Sequence, residues 1–154
     1  MRDVIIGSDH RGFKLKEKIS TWLCPIDSEC DSKFDIAVFQ DAGTYKPKRI
    51  DYNDIAVKVG ENMSVFDQGI LICGSGFGMA IQANRFSKAR AVVCFDVFDV
   101  EQARQHNDMN VLCIGADYTD FNHAKHMIEA FFKTNFEKGR HTRRVKKLGL
   151  IRNV

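Results

Sequence analysis

Gly69-Ile70-Leu71-Ile72-Cys73-Gly74-Ser75-Gly76-Phe77-Gly78 decides how the rest of the chain is read. Its first half is a short unbroken apolar run. It is too short for a helix and lacks the alternation of a sheet wetted on one face, so it reads as a strand covered on both sides. Its second half places three glycines within five residues just after that strand, and helical spacing follows from Phe77 to Asn84.

The same grammar repeats on either side. Val4-Ile5-Ile6, Ile36-Ala37-Val38-Phe39, Ala91-Val92-Val93-Cys94 and Val111-Leu112-Cys113-Ile114 are further strand candidates. Helical spacing covers Phe13 to Leu23, Asp54 to Met63, Val100 to His106 and Asn122 to Lys133, where Met127, Ile128, Phe131 and Phe132 form an apolar stripe. Strands alternating with helices predict an α/β fold, a doubly wound sandwich around a five-stranded parallel sheet. With 154 residues, 44% of them hydrophobic, the chain is expected to make a single domain spanning 1–154.

Composition narrows the function classes. A net charge of +3, with both signs interspersed among 28% charged residues, gives no field that argues for nucleic acid. No apolar stretch is long enough to cross a bilayer, and the opening Met1-Arg2-Asp3-Val4 lacks the apolar region of a secretory signal. A cytoplasmic protein with no membrane partner is the expectation. Cys24, Cys30, Cys73, Cys94 and Cys113 contain no CxxC pair and read as free thiols, with Cys94 and Cys113 packing as small hydrophobes. The polar segment from Cys24 to Lys33 reads as a long connection without a functional role.

In an open parallel sheet, ligands bind beyond the carboxyl ends of the strands. The first strand runs into Gly7-Ser8-Asp9-His10-Arg11-Gly12 and the third into Cys73-Gly74-Ser75-Gly76-Phe77-Gly78. Glycines at this spacing let main-chain amides converge on an anion or a developing oxyanion, with a thiol at the lip of the cradle. Amide dipoles at a helix start favour the thiolate, so Cys73 is a candidate base or nucleophile. A dinucleotide fingerprint is the competing reading, with Gly74, Gly76 and a ribose-binding Asp96, but position 79 is Met79 and Gly78 falls one residue early.

Two further clusters stand out, His106-Asn107-Asp108 and Gly139-Arg140-His141-Thr142-Arg143-Arg144. Arg140 and Arg144 share one helical face and can clamp a phosphate by forked hydrogen bonds; the alternative is a solvated basic end with Arg143, Lys146 and Lys147. No metal is expected, because no His, Cys or carboxylate group has ligand spacing along the sequence.

Six motifs carry a resemblance: Gly7-Ser8-Asp9-His10-Arg11-Gly12, Asp51-Tyr52, Gly69 to Gly76, Ala83-Asn84, Arg104 to Asp108, and Gly139 to Val145. In this order and spacing the chain resembles the type B ribose-5-phosphate isomerases, a family that also includes galactose-6-phosphate isomerase subunits and enzymes of allose 6-phosphate. The resemblance implies a three-layer Rossmann-like α/β/α sandwich, no cofactor, and a homodimer or tetramer whose active site is shared between subunits. It implies that Cys73 is the base, that Ser75 and the amides of Gly74, Gly76, Phe77 and Gly78 hold the enediolate, and that His106 opens the sugar ring. Asp9, Tyr52 and Asn107 then match sugar-hydroxyl contacts, while His10, Arg140 and Arg144 match phosphate ligands, with the C-terminal helix from about 138 completing the site. On this reading the paired arginines belong to the subunit that carries Cys73, and the imidazole of His106 comes from a partner. The substrate implied is ribose 5-phosphate, interconverted with ribulose 5-phosphate; the alternatives are a six-carbon sugar phosphate or a non-catalytic sugar-phosphate or nucleotide binder. Departures from the family pattern are Asp117 where many members carry an arginine that contacts the phosphate from the neighbouring subunit, with Arg49 or Arg143 the candidates to compensate, Asn53 for a common proline, and Phe98 for a common tyrosine.

Overall fold

Apolar runs flanked by helices must be covered on both faces, and the computed structural model, which describes residues 1–24 and 34–148, shows how. Strands β1 (Arg2–Ser8), β2 (Ile36–Asp41), β3 (Gln68–Cys73), β4 (Ala91–Val93) and β5 (Val111–Gly115) form one sheet in the order β2-β1-β3-β5-β4. Every pairing is parallel. The connecting helices are α1 (Phe13–Leu23), α2 (Tyr52–Asn62), α3 (Phe77–Ala83), α4 (Val97–Asn107) and α5 (Phe121–Lys133), followed by α6 (Arg140–Leu148).

Side chains alternate along each strand, and the alternation sorts the core into two layers. Val4, Ile6, Ile70, Ile72, Leu112 and Ile114 face α1, α4 and α5. Ile5, Leu71, Cys73, Val111 and Cys113 face α2 and α3. Each fully buried Ile, Leu or Val contributes roughly 1.5–3 kcal/mol, so the sheet is the stiffest part of the molecule and a fixed platform for the turns at its ends. Lys16, fully buried on α1, ties that helix to β2 through an ion pair with Asp41, with Glu17 2.9 Å away. The chain passes from β1 outward to β2 and then back across to β3, which makes the β1/β3 boundary the topological switch point.

Three sequence expectations are corrected here. α4 starts at Val97, three residues before the expected Val100, because Asp96 caps it by accepting the Asp99 amide; the carboxylate proposed for a ribose is thus engaged at a helix terminus. α2 starts at Tyr52, ahead of Asp54, with Asp51 extended at its N-terminus. Cys24 is disulfide-bonded, so only Cys73, Cys94 and Cys113 are free thiols among the described residues; residue counts along a chain do not reveal which sulfurs meet in space. Cys30 and most of the long 24–34 connection lie outside the described residues.

Candidate active site

The sheet delivers the turns after β1 and β3 side by side at the switch point, since Ser8 pairs with Ile72 and Cys73 pairs with Gly115. Cys73 ends β3 and is 5% exposed, so its sulfur is reachable only from the loop above it. Gly76 is left-handed, with φ of 82°, and this turn brings its N–H to donate to Cys73 Sγ at 3.0 Å. A side chain at Gly76 would be strained by that conformation. Ser75 Oγ accepts from the Phe77 amide at 3.4 Å, and the Tyr52 ring fills the space a Cβ on Gly78 would need.

The β1 turn closes the other flank. Asp9 is buried, and its Oδ1 accepts the amides of Arg11 and Gly12 at 2.9 and 3.0 Å, which shapes the turn. His10 is half-buried with Nδ1 3.3 Å from the Ile50 carbonyl. The two other free thiols are chemically quiet by contrast. Burial, followed by the carboxylates of Asp99 and Asp96, pushes Cys94 up to about 12, and burial pushes Cys113 up as well.

His106, Asn107, Arg140 and Arg144 belong to a second assembly at the far end of the sheet. α4 connects β4 to the parallel β5, so it starts at the carboxyl edge and returns to the amino edge; its 11 residues cover about 16 Å. His106 and Asn107 occupy its last turn, at the edge of the sheet opposite the one that holds Cys73. α6 packs there too: the His141 ring stacks on His106 with centroids 4.4 Å apart and planes 7° from parallel. Arg140 Nε donates to His141 Nε2 at 3.2 Å. The arginine pair therefore travels with His106, which corrects the expectation that it shares a subunit end with Cys73. A cavity of about 440 Å³ lined by Asn107, Asn84, Arg85 and Arg90 adjoins this assembly.

Glu137 joins the same cluster, its Oε2 lying 3.9 Å from Nε2 of both His106 and His141. The ligand atoms of the three residues lie within 4.8 Å of one another, a grouping that sequence spacing hides because His106 lies on a different segment from Glu137 and His141. Burial lowers the His141 pKa, and the positive fields of His106, Arg140 and Arg144 lower it further against the pull of Glu137. With two guanidiniums facing it and one of its nitrogens already accepting from Arg140, the cluster favours an anionic ligand over a cation. Sequence reasoning assigned no role to Arg11, Glu137 or His141, although Arg11 and His141 stand inside motifs it singled out.

A doubly wound parallel sheet with a glycine cradle and a thiol at its switch point defines a Rossmann-like α/β protein built to handle a small anionic molecule. Comparison with known proteins makes this specific. The Ribose/Galactose Isomerase family model matches residues 4–148, and the chain belongs to that family. Ribose-5-phosphate isomerase B of Escherichia coli (strain K12) is 37% identical over 153 residues, covering 98% of this chain and 97% of that protein. Among solved structures, a ribose 5-phosphate isomerase of Thermotoga maritima superposes with a TM-score of 0.86 at 35% identity, covering 97% of this chain and 99% of that one. The type B ribose 5-phosphate isomerase of Trypanosoma brucei gives 0.85 at 36% identity and 97% coverage of both.

Proposed function

We propose that this protein is an aldose-ketose isomerase that interconverts D-ribose 5-phosphate and D-ribulose 5-phosphate through an enediolate, in the cytoplasm and as part of pentose phosphate metabolism. The observation that carries the reading is the Gly76 N–H aimed at Cys73 Sγ at 3.0 Å inside a glycine turn at the switch point. A thiolate held this way takes the proton from carbon 2 of the open-chain aldose. The electron pair passes into the C1–C2 bond and the carbonyl π pair onto the carbonyl oxygen, where the amides of Gly74 to Gly78 and the Ser75 hydroxyl stabilise the charge as it develops. The thiol then returns the proton to carbon 1, while the proton of the carbon 2 hydroxyl passes to the oxygen on carbon 1, leaving a hydroxyl there and the ketose carbonyl at carbon 2. Atoms and electrons balance without a redox partner. Asp9, Tyr52 and Asn107 orient the sugar hydroxyls, and the phosphate, bound by His10, Arg140 and Arg144, holds the reacting carbons in register.

Cys73 and His106 lie at opposite ends of one sheet, so a complete site needs two copies of the chain, each lending its Cys73 turn to the His106–α6 end of the other. Exposed apolar side chains support this assembly. Phe77, Ile81, Phe98 and Tyr118, each at least half exposed, flank the glycine turn, a concentration suited to burial against a second subunit. His106 of that second subunit then stands over the ring oxygen as the group that opens the furanose. The test is conversion of ribose 5-phosphate by purified protein with chelator present, followed in deuterated water. Turnover with deuterium entering the sugar is expected; binding of the sugar phosphate with neither turnover nor exchange would reduce the protein to a binding module.

A further inference from the structure

Arg11, in the β1 turn, extends across the β3 turn and forms an ion pair with Asp117 just after β5. Its guanidinium carbon lies 2.5 Å from where a Cβ on Gly74 would sit, so it crosses directly over the residue next to Cys73. Asp117 is itself fixed to the same turn, its amide donating to the Gly74 carbonyl at 3.1 Å, and the Ala116 amide donates to the Cys73 carbonyl at 2.8 Å. The cation is therefore held over the Gly74 turn by two anchored turns.

The ion pair is easily exchanged. It is made through one nitrogen and one oxygen, and the two side chains are 56% and 39% exposed. Single-contact exposed pairs of this kind are weak, whereas a phosphate offers a guanidinium two parallel charge-assisted hydrogen bonds. Arg11 keeps further N–H groups free for such a fork, since the guanidinium has five. It also borders a cavity of about 320 Å³ lined by Lys14, Lys18 and Asp120, whose walls carry more positive than negative charge.

We propose that Arg11 is a specificity-determining residue that binds the phosphate of the sugar phosphate beside the Cys73 turn, and that Asp117 restrains it by competing for the same N–H groups. The proposal rests on the isomerase reading. It makes the two partners of one ion pair act in opposite directions, which a brace that merely stiffens the turn would not do. Steady-state kinetics on ribose 5-phosphate should show Arg11→Ala raising KM about tenfold, with kcat changed less than about twofold and Arg11→Lys recovering part of the loss. Asp117→Asn should lower KM about threefold, and should do nothing to KM once Arg11 is alanine. If Asp117→Asn raises KM as Arg11→Ala does, or if both variants lower kcat equally, the pair is a brace and the proposal fails. Inorganic phosphate binding keeps the question separate from catalysis. Should the unaltered protein isomerise nothing, tighter phosphate binding by Asp117→Asn and weaker binding by Arg11→Ala would still support the anion site, and equal binding by all three proteins would sink it.

Discussion

The two ends of the sheet are built differently. At the carboxyl end, the site is made from main chain: a left-handed glycine, its amide turned toward a sulfur, and turns fixed by the pairing of β1, β3 and β5. At the amino end it is made from long side chains, two stacked imidazoles, a carboxylate and paired guanidiniums on α4 and α6. Main-chain donors fixed by a buried sheet are pre-organised and need little adjustment when charge develops. Side chains near a chain end can adapt to a phosphate and a sugar ring. On the proposed reading the difference teaches a division of labour, with proton transfer where the structure is stiff and substrate handling where it is adjustable.

The largest effect should come from the stiff end. Replacing the proposed base, Cys73→Ala, should cut turnover by about 10³-fold while a phosphorylated analogue still binds, checked by single-turnover kinetics and calorimetry. Retained turnover would remove Cys73 from the mechanism. Next comes the joining of the two ends. His106→Asn should impair cyclic substrate more than open-chain substrate, and a mixture of Cys73→Ala and His106→Asn proteins, unfolded and refolded together, should regain activity. Random pairing in a dimer makes one intact site in half of the assemblies, about one quarter of the unaltered activity. No recovery would mean that each chain builds its own site.

Gly76→Ala tests whether the turn's geometry matters. A Cβ at φ of 82° costs about 1–2 kcal/mol, and the loss of activity should exceed the loss of thermal stability because the N–H to sulfur contact shifts. Alkylation compares the three free thiols among the described residues. Iodoacetamide at neutral pH should modify Cys73 first and leave Cys94 and Cys113 intact in the folded protein, as mass spectrometry of digests would show.

The smallest effect belongs to the adjustable end. His141 titrates below the ordinary histidine value of 6.5 in the folded state, so the unfolded chain binds its proton first on acidification. Its contribution to stability is therefore intact above that ordinary value and lost as pH falls from there toward the lowered one. A proton resonance titration should give a midpoint under 6.5, and His141→Gln should flatten the acid-side loss of stability.

What the sequence disclosed divides along the same line. The five strands, the glycine turn and the placing of Cys73 at a strand end were legible because each is written in contiguous residues. Helix starts were less so, since Asp96 could be read as a ligand acid or as a cap and only its bond to Asp99 decides. The Arg11 to Asp117 pair joins residues 106 apart, and no local pattern announces it. The grouping of His106 with Glu137 and His141 depends on how α6 returns to α4, a packing outcome. The same packing assigned the paired arginines to the opposite end from the thiol.

On the proposed two-copy site, separating the sulfur from the imidazole by the length of a helix also ties activity to abundance. If neither end can turn over substrate without a second copy, specific activity falls on dilution below the dissociation constant of the assembly and recovers on concentration. A mutation far from any reacting atom, on the apolar flank of the glycine turn, would then silence the enzyme by the same route.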